Sequence, residues 1–296
     1  MRNRRVGRVL ALTALVTGLA SAGALRSGVA SAQAAVHKFD HVVVVIMENK
    51  NYKAIIGRPD EAPYINNHLA AGGAVFSNSF AVAHPSQPNY LALFSGSTQG
   101  VTSDHCPQNF TGVANLGAQL INANLTFRGY AESMPADGSK NCGSFVSLSR
   151  YVRAHNPWVD FDNVPRSSNL TFKRFPTTFS NLPTVSFVVP NLCHDMHSCS
   201  RDTGDSWVKN NIGAYARWAL KHNSLLILTW DEDGEVLGLG GDNNKVPTIF
   251  YGAHVQTGTY SEHVSHYRIL RTIEDMYGLS HIAAAKRATP ITDVWK

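Results

Sequence analysis

Two stretches of this chain place oxygen-bearing side chains directly after short aliphatic runs. Residues 42–46 lead into Met47-Glu48-Asn49, and residues 225–230 lead into Asp231-Glu232-Asp233. Carboxylate and amide oxygens suit a hard divalent cation, and such a cation suits phosphate chemistry. Three adjacent acids repel one another unless solvated or bound to a cation. A solvated loop remains the plain alternative for the triplet, and polar residues are common at strand ends. Gly234, Gly238, Gly240 and Gly241 follow and predict a mobile loop beside the acids.

His84-Pro85-Ser86-Gln87-Pro88-Asn89-Tyr90 offers a nucleophile. Two prolines fix the backbone on either side of Ser86. A hydroxyl at a helix N-terminus lies near free N–H groups, a favourable place for a phosphoryl anion. An ordinary cap or turn serine is the alternative. His194, Asp195 and His197 lie in a further loop, and His263 and His266 precede the last expected helix. These types suit contacts to metal or to phosphate oxygens. A surface His pair and a plain N-cap role for Ser265 are the alternatives.

The elements that would position these residues alternate between strand and helix. Strands are expected at 42–46, 74–80, 126–132, 184–189, 225–230 and 246–251. Helices are expected at 62–71, 89–94, 116–123, 204–223 and 267–277, the fourth with Trp207, Ile212, Tyr215, Trp218 and Ala219 on its apolar side. Residues 133–180 show no clean period and read as an irregular insertion covering one face. Strands separated by helices imply an α/β fold with a mainly parallel central sheet flanked by helices. The candidate residues then fall after strands or before helices, on one sheet edge, where such folds bind ligands.

The N-terminus reads as a secretory signal peptide over 1–32. It has a basic start (Arg2, Arg4, Arg5, Arg8), a short apolar run, and small-residue cleavage sites near Ala32 or Ala34. Arg4-Arg5 leaves the choice of Sec or twin-arginine export open. Residues 1–32 hold five Arg and no acid, so residues 33–296 carry 21 basic and 21 acidic side chains. That balance gives no basis for nucleic-acid binding, and no stable membrane anchor is expected. Residues 33–296 are expected to form one domain. Four Cys in an exported chain read as two disulfides. Of three pairings, Cys106–Cys142 and Cys193–Cys199 are favoured, the second closing a tight loop.

Taken in order, Met47-Glu48-Asn49, the segment from His84 to Tyr90, Asn191 with Asp195-Met196-His197, the run from Thr229 to Asp233, and Ser265-His266-Tyr267 resemble the bacterial phosphoesterase family. That family joins secreted acid phosphatases to phospholipases C within the alkaline-phosphatase-like superfold. The likeness covers nearly all of the chain after the leader, although the Cys193/Cys199 pair beside His194 departs from it. The resemblance implies a secreted metal-dependent acid phosphatase. Its substrates would be phosphate monoesters, with phosphatidylinositol 3-phosphate among the candidates. Glu48, Asn49, Ser86, Asp231 and Glu232 would hold a divalent metal (Mg, Ca, Mn or Zn). Ser86 would be the nucleophile, forming a phosphoserine. His197 and His266 would hold phosphate oxygens or protonate the leaving group, which would give an acidic optimum, and Asp195 would support them. Asp233 would face solvent or the Gly-rich loop. Contact with lipid headgroups would be transient. A phospholipase C-type diesterase is the first alternative, and an inactive binding protein of the same fold is the second.

Overall fold

The computed structural model describes residues 1–2, 36–146, 150–234 and 242–296. The chain divides into Met1–Gln33 and a compact unit of Ala34–Lys296, and the fold below is that of the second unit. Residues 3–32 of the expected signal peptide and Gly238, Gly240 and Gly241 lie outside the described residues.

The centre is an eight-stranded sheet. Its strands are β1 (His41–Met47), β2 (Ala74–Phe76), β4 (Phe127–Ala131), β5 (Asn169–Thr171), β6 (Val185–Val189), β7 (Ser224–Trp230), β8 (Thr248–Tyr251) and β9 (Gly258–Tyr260). Their order is β5-β4-β6-β1-β7-β8-β2-β9. Parallel ladders join β1 to β6 and β7, while β8 runs antiparallel to β7 and β2. β3 (Ser79–Phe80) and β10 (Val264–Ser265) form a small separate pair.

β1 is buried along nearly its whole length because both faces of the sheet are covered. Side chains alternate across a strand. Val42, Val44 and Ile46 enter a core containing Tyr90, Phe94, Ile269 and Ile273. Val43, Val45 and Met47 enter the opposite core with Trp207, Ile212 and Tyr215. The first core lies under α2 (Ser86–Ser95) and α6 (His266–Met276), which pack together. The second lies under α4 (Arg201–Asn211) and α5 (Gly213–Ala219), and α1 (Tyr52–Ile55) and α3 (Leu116–Asn122) complete the α-helices of the described residues.

Several expected elements differ in detail. The strand expected at 74–80 is two strands split by a turn at Ser77-Asn78, so that β3 joins the second sheet. The helix expected at 204–223 starts earlier, where the Ser200 side chain accepts from Thr203 N, and breaks at Ile212 ahead of Gly213. The helix expected at 62–71 is a π-helix over Ile65–Ala70. β8 starts after Pro247, which has no N–H to give a ladder. β5 lies inside the supposed insertion and is too short for alternation to reveal it.

Both favoured disulfides are present, Cys106–Cys142 and Cys193–Cys199.

Candidate active site

β1, β6 and β7 are adjacent and parallel, so the residues after them meet at one edge. The backbone ties the junctions together: Glu48 N donates to Asp195 O at 2.8 Å, and Asp231 N donates to Met47 O at 3.0 Å. Asn49 N donates to Asp231 Oδ1 at 2.9 Å. Asn49 takes a left-handed φ of 54°, which Asn tolerates better than most side chains. Gly234 packs onto it so closely that a Cβ there would lie 2.5 Å from Asn49 O.

Glu48 is the hub. It is fully buried, and each of its carboxylate oxygens is engaged from α2. Ser86 Oγ donates to Oε2 at 3.1 Å, and Tyr90 OH donates to Oε1 at 2.6 Å. Ser86 and Tyr90 are four residues apart, so one helix face presents both hydroxyls. Asn89, between them, holds the approach to the helix: its Oδ1 accepts from Val82 N and Ala83 N. Asn49 Nδ2 also donates to Glu48 Oε2, at 3.2 Å.

His155 enters from the irregular stretch. Its Nδ1 lies 3.2 Å from Glu48 Oε1 and 3.8 Å from Asp195 Oδ2. Its ring stacks on Tyr90 at 5.0 Å with 7° between planes. Glu48, His155 and Asp195 each offer a ligand atom within 4.8 Å of the others, a group able to hold a metal ion. Neither His155 nor Tyr90 stands out in the sequence as a site residue. His155 has no strand or helix period around it. Tyr90 closes the motif that begins at His84, four residues after Ser86, but carries no assigned role there.

Burial dominates the electrostatics. It raises Glu48 well above the usual carboxylate range, with the charges of Asp231 and Asp195 adding to the effect. Burial likewise raises Asp195 against the bond from His197 N, and it lifts Asp231 to about 6. Lys50 Nζ donates to Asn49 O and Met196 O, and burial lowers its proton affinity. Several carboxyls packed this way cannot all ionise without a cation. Asp195 Oδ2, Asp231 Oδ2 and His155 Nε2 are buried and have no hydrogen-bond partner. The unpartnered carboxylate oxygens of Asp195 and Asp231 within this acidic cluster fit a divalent cation.

Other expected site residues are disposed differently. Glu232 lies at the margin of the cluster, with Oε2 2.7 Å from His84 Nδ1. Of the two places expected for Asp233, solvent is not the one it takes: it is buried, and its Oδ2 accepts from Asp242 N and Asn244 N just after the Gly-rich stretch. His194 turns away, to Glu132 at 2.8 Å, and His263 stacks on Phe80. His197 stays at the rim, 6.5 Å from the His155 ring, with burial lowering its proton affinity. His266 is buried rather than at the rim. Its Nε2 lies 2.9 Å from Trp230 O, and burial pushes it down to about 4. Desolvation favours the neutral ring at both histidines. The first turn of α2 is also less open than expected, because Gln87 N donates to Asp104 Oδ1 and Pro88 has no N–H.

Comparison with known proteins agrees with this architecture. The chain is 47% identical over 299 residues to a phosphatidylinositol-3-phosphatase from Mycobacterium tuberculosis, covering 98% of this chain and 95% of that protein. It is 28% identical over 226 residues to an acid phosphatase from Aspergillus fumigatus, covering 71% of this chain and 50% of that one. A solved structure of an alkaline phosphatase superfamily protein from Vibrio parahaemolyticus superposes with a TM-score of 0.60 at 12% identity, over 88% of this chain and 72% of the other. The fold is thus alkaline-phosphatase-like. The model of the Phosphoesterase family matches residues 58–280, and the chain belongs to that family.

Proposed function

We propose that this protein is a phosphatase that hydrolyses phosphate monoesters through Ser86, with a phosphoinositide such as phosphatidylinositol 3-phosphate as the substrate class. The observation that carries this reading is Ser86 Oγ donating to Glu48 Oε2 inside a cluster of buried carboxylates. The relative named for phosphatidylinositol-3-phosphatase activity supports the substrate.

Glu48, Asp195, His155 and Asp231 would hold a divalent cation, with Asn49 and Glu232 at the margin. Bound there, such a cation supplies charge that offsets the carboxylates and polarises phosphate and serine oxygens. The chain's own groups do the rest. Pro85 and the N-terminus of α2 fix Ser86, and Tyr90 and His155 fix Glu48. Ser86 Oγ attacks phosphorus as its proton passes to Glu48 Oε2, the P–O bond to the alcohol breaks, and the departing oxygen takes a proton from water. The hydroxide so formed then attacks the phosphoserine, the Ser86 Oγ–P bond breaks, the proton held by Glu48 returns to Ser86 Oγ, and phosphate leaves. His197 lines the rim where the leaving group departs. Two disulfides suit an oxidising compartment, in keeping with export.

Ser86→Ala should stay folded by circular dichroism and lose turnover of p-nitrophenyl phosphate by about a thousandfold or more. Near-normal turnover in the folded variant would remove Ser86 from this role. Release of diacylglycerol from phosphatidylcholine by the wild type would instead favour a diesterase.

A further inference from the structure

Among the described residues, the large apolar side chains left exposed are Met1, Phe145, Val146 and Leu220. Leu220 follows α5 and precedes β7, at the end of the sheet opposite the cluster. Phe145 and Val146 are adjacent and lie beside the cluster. The Phe145 ring is 5.8 Å from both the His155 and His197 rings, while Val146 is 94% exposed.

This tip is built on a firm base. The Cys106–Cys142 disulfide anchors one side. Ser144 N donates to Tyr151 O, and Arg153 N donates to Cys142 O, pairing the outgoing and returning segments. Tyr151 and Val152 are buried below. The segment that raises Phe145 and Val146 therefore also carries His155 into the cluster.

Charge distinguishes the kind of surface this tip suits. Lys140 and Arg150, five residues before and four after the apolar pair, are exposed, and no Asp or Glu lies between them, the nearest acids in sequence being Asp137 and Asp160. Exposed apolar side chains framed by basic ones match the boundary of an anionic lipid layer. Ser86 is only 3% exposed. A phosphate on a lipid headgroup reaches such a serine only if the protein seats closely on the bilayer.

We propose that the Phe145–Val146 tip enters the polar–apolar boundary of an anionic lipid surface and seats the mouth of the site over headgroup phosphates. The inference rests on the phosphatase reading above and names the surface on which that activity works. The protein would sit on the membrane reversibly, since two side chains supply too little apolar area for a stable anchor.

The test uses the full protein with Val146→Glu and Val146→Trp, changes at a side chain that is 94% exposed. Flotation with mixed phosphatidylcholine–phosphatidylserine vesicles should weaken about tenfold for Val146→Glu, the scale of one buried valine. Val146→Trp should strengthen it. Turnover of phosphatidylinositol 3-phosphate in vesicles should follow the same order, with p-nitrophenyl phosphate turnover unchanged. Wild-type flotation by Val146→Glu would overturn the proposal, as would an equal loss on p-nitrophenyl phosphate, which would make the tip part of the catalytic pocket. Equal flotation with neutral vesicles would overturn the role of the basic flanks. If the wild type leaves p-nitrophenyl phosphate intact, the phosphatase reading fails, whereas a failure confined to vesicles removes the lipid surface alone.

Discussion

Glu48 shows how one side chain can organise a site. Its carboxylate is buried at the end of β1, yet it accepts from Ser86, Tyr90 and Asn49 and lies beside His155. Removing one partner is costly because the other stays buried. Tyr90→Phe keeps the ring that stacks on His155 and deletes only the hydroxyl at 2.6 Å from Glu48. It is expected to cost about 1–3 kcal/mol, read as a lower urea midpoint at constant m-value. An unchanged midpoint would show that Glu48 Oε1 is satisfied without Tyr90. At this scale the sequence was half informative. Glu48, Asn49, Ser86 and Asp231 were legible because acids at strand ends and a proline-framed serine are local patterns. His155 was not, because its meaning comes from residues 107 and 40 positions away, Glu48 and Asp195.

The elements around the site succeed or fail as units. α6 covers α2 and supplies His266 at its start. Near its other end Glu274 is fully buried, and its Oε1 accepts from Ile282 N. Burial raises its carboxyl to about 8, opposed by the bond from Ile282 N, the Gln119 side chain and Arg271, and assisted by Asp275. The folded protein thus holds a proton that the unfolded chain releases at lower pH. Stability from this group is fully present below the ordinary carboxylate range and is lost as the pH rises towards about 8. Glu274→Gln should therefore flatten the fall in melting temperature across that window. A slope identical to wild type would show that Glu274 does not titrate there. Helix patterning located α6 from sequence, but not the pairing of Glu274 with Ile282, which depends on how the chain turns back after Gly278.

For the whole molecule, the α/β fold brings three loops to one edge and concentrates negative charge there. Without a cation, the raised proton affinities of Glu48, Asp195 and Asp231 (the last near 6) mean that stability is present at acid pH and falls as the pH rises above the ordinary carboxylate range and through about 6. Chelator-treated protein should lose melting temperature over that rise, and adding back Mg²⁺ or Mn²⁺ should recover it. A melting temperature that does not respond to metal after chelation would show that the cluster carries no cation. The sequence alone determined the fold class, the edge where chemistry gathers, and the serine and acids at it. Those follow from short-range patterning: buried parallel strands read as aliphatic runs, and residues after them must emerge at one edge. Only the tertiary structure decided which groups share the centre. It put His155 and Tyr90 against Glu48, buried His266 and Asp233, and turned Glu232 towards His84. Those outcomes depend on loop paths and desolvation, which no local spacing encodes.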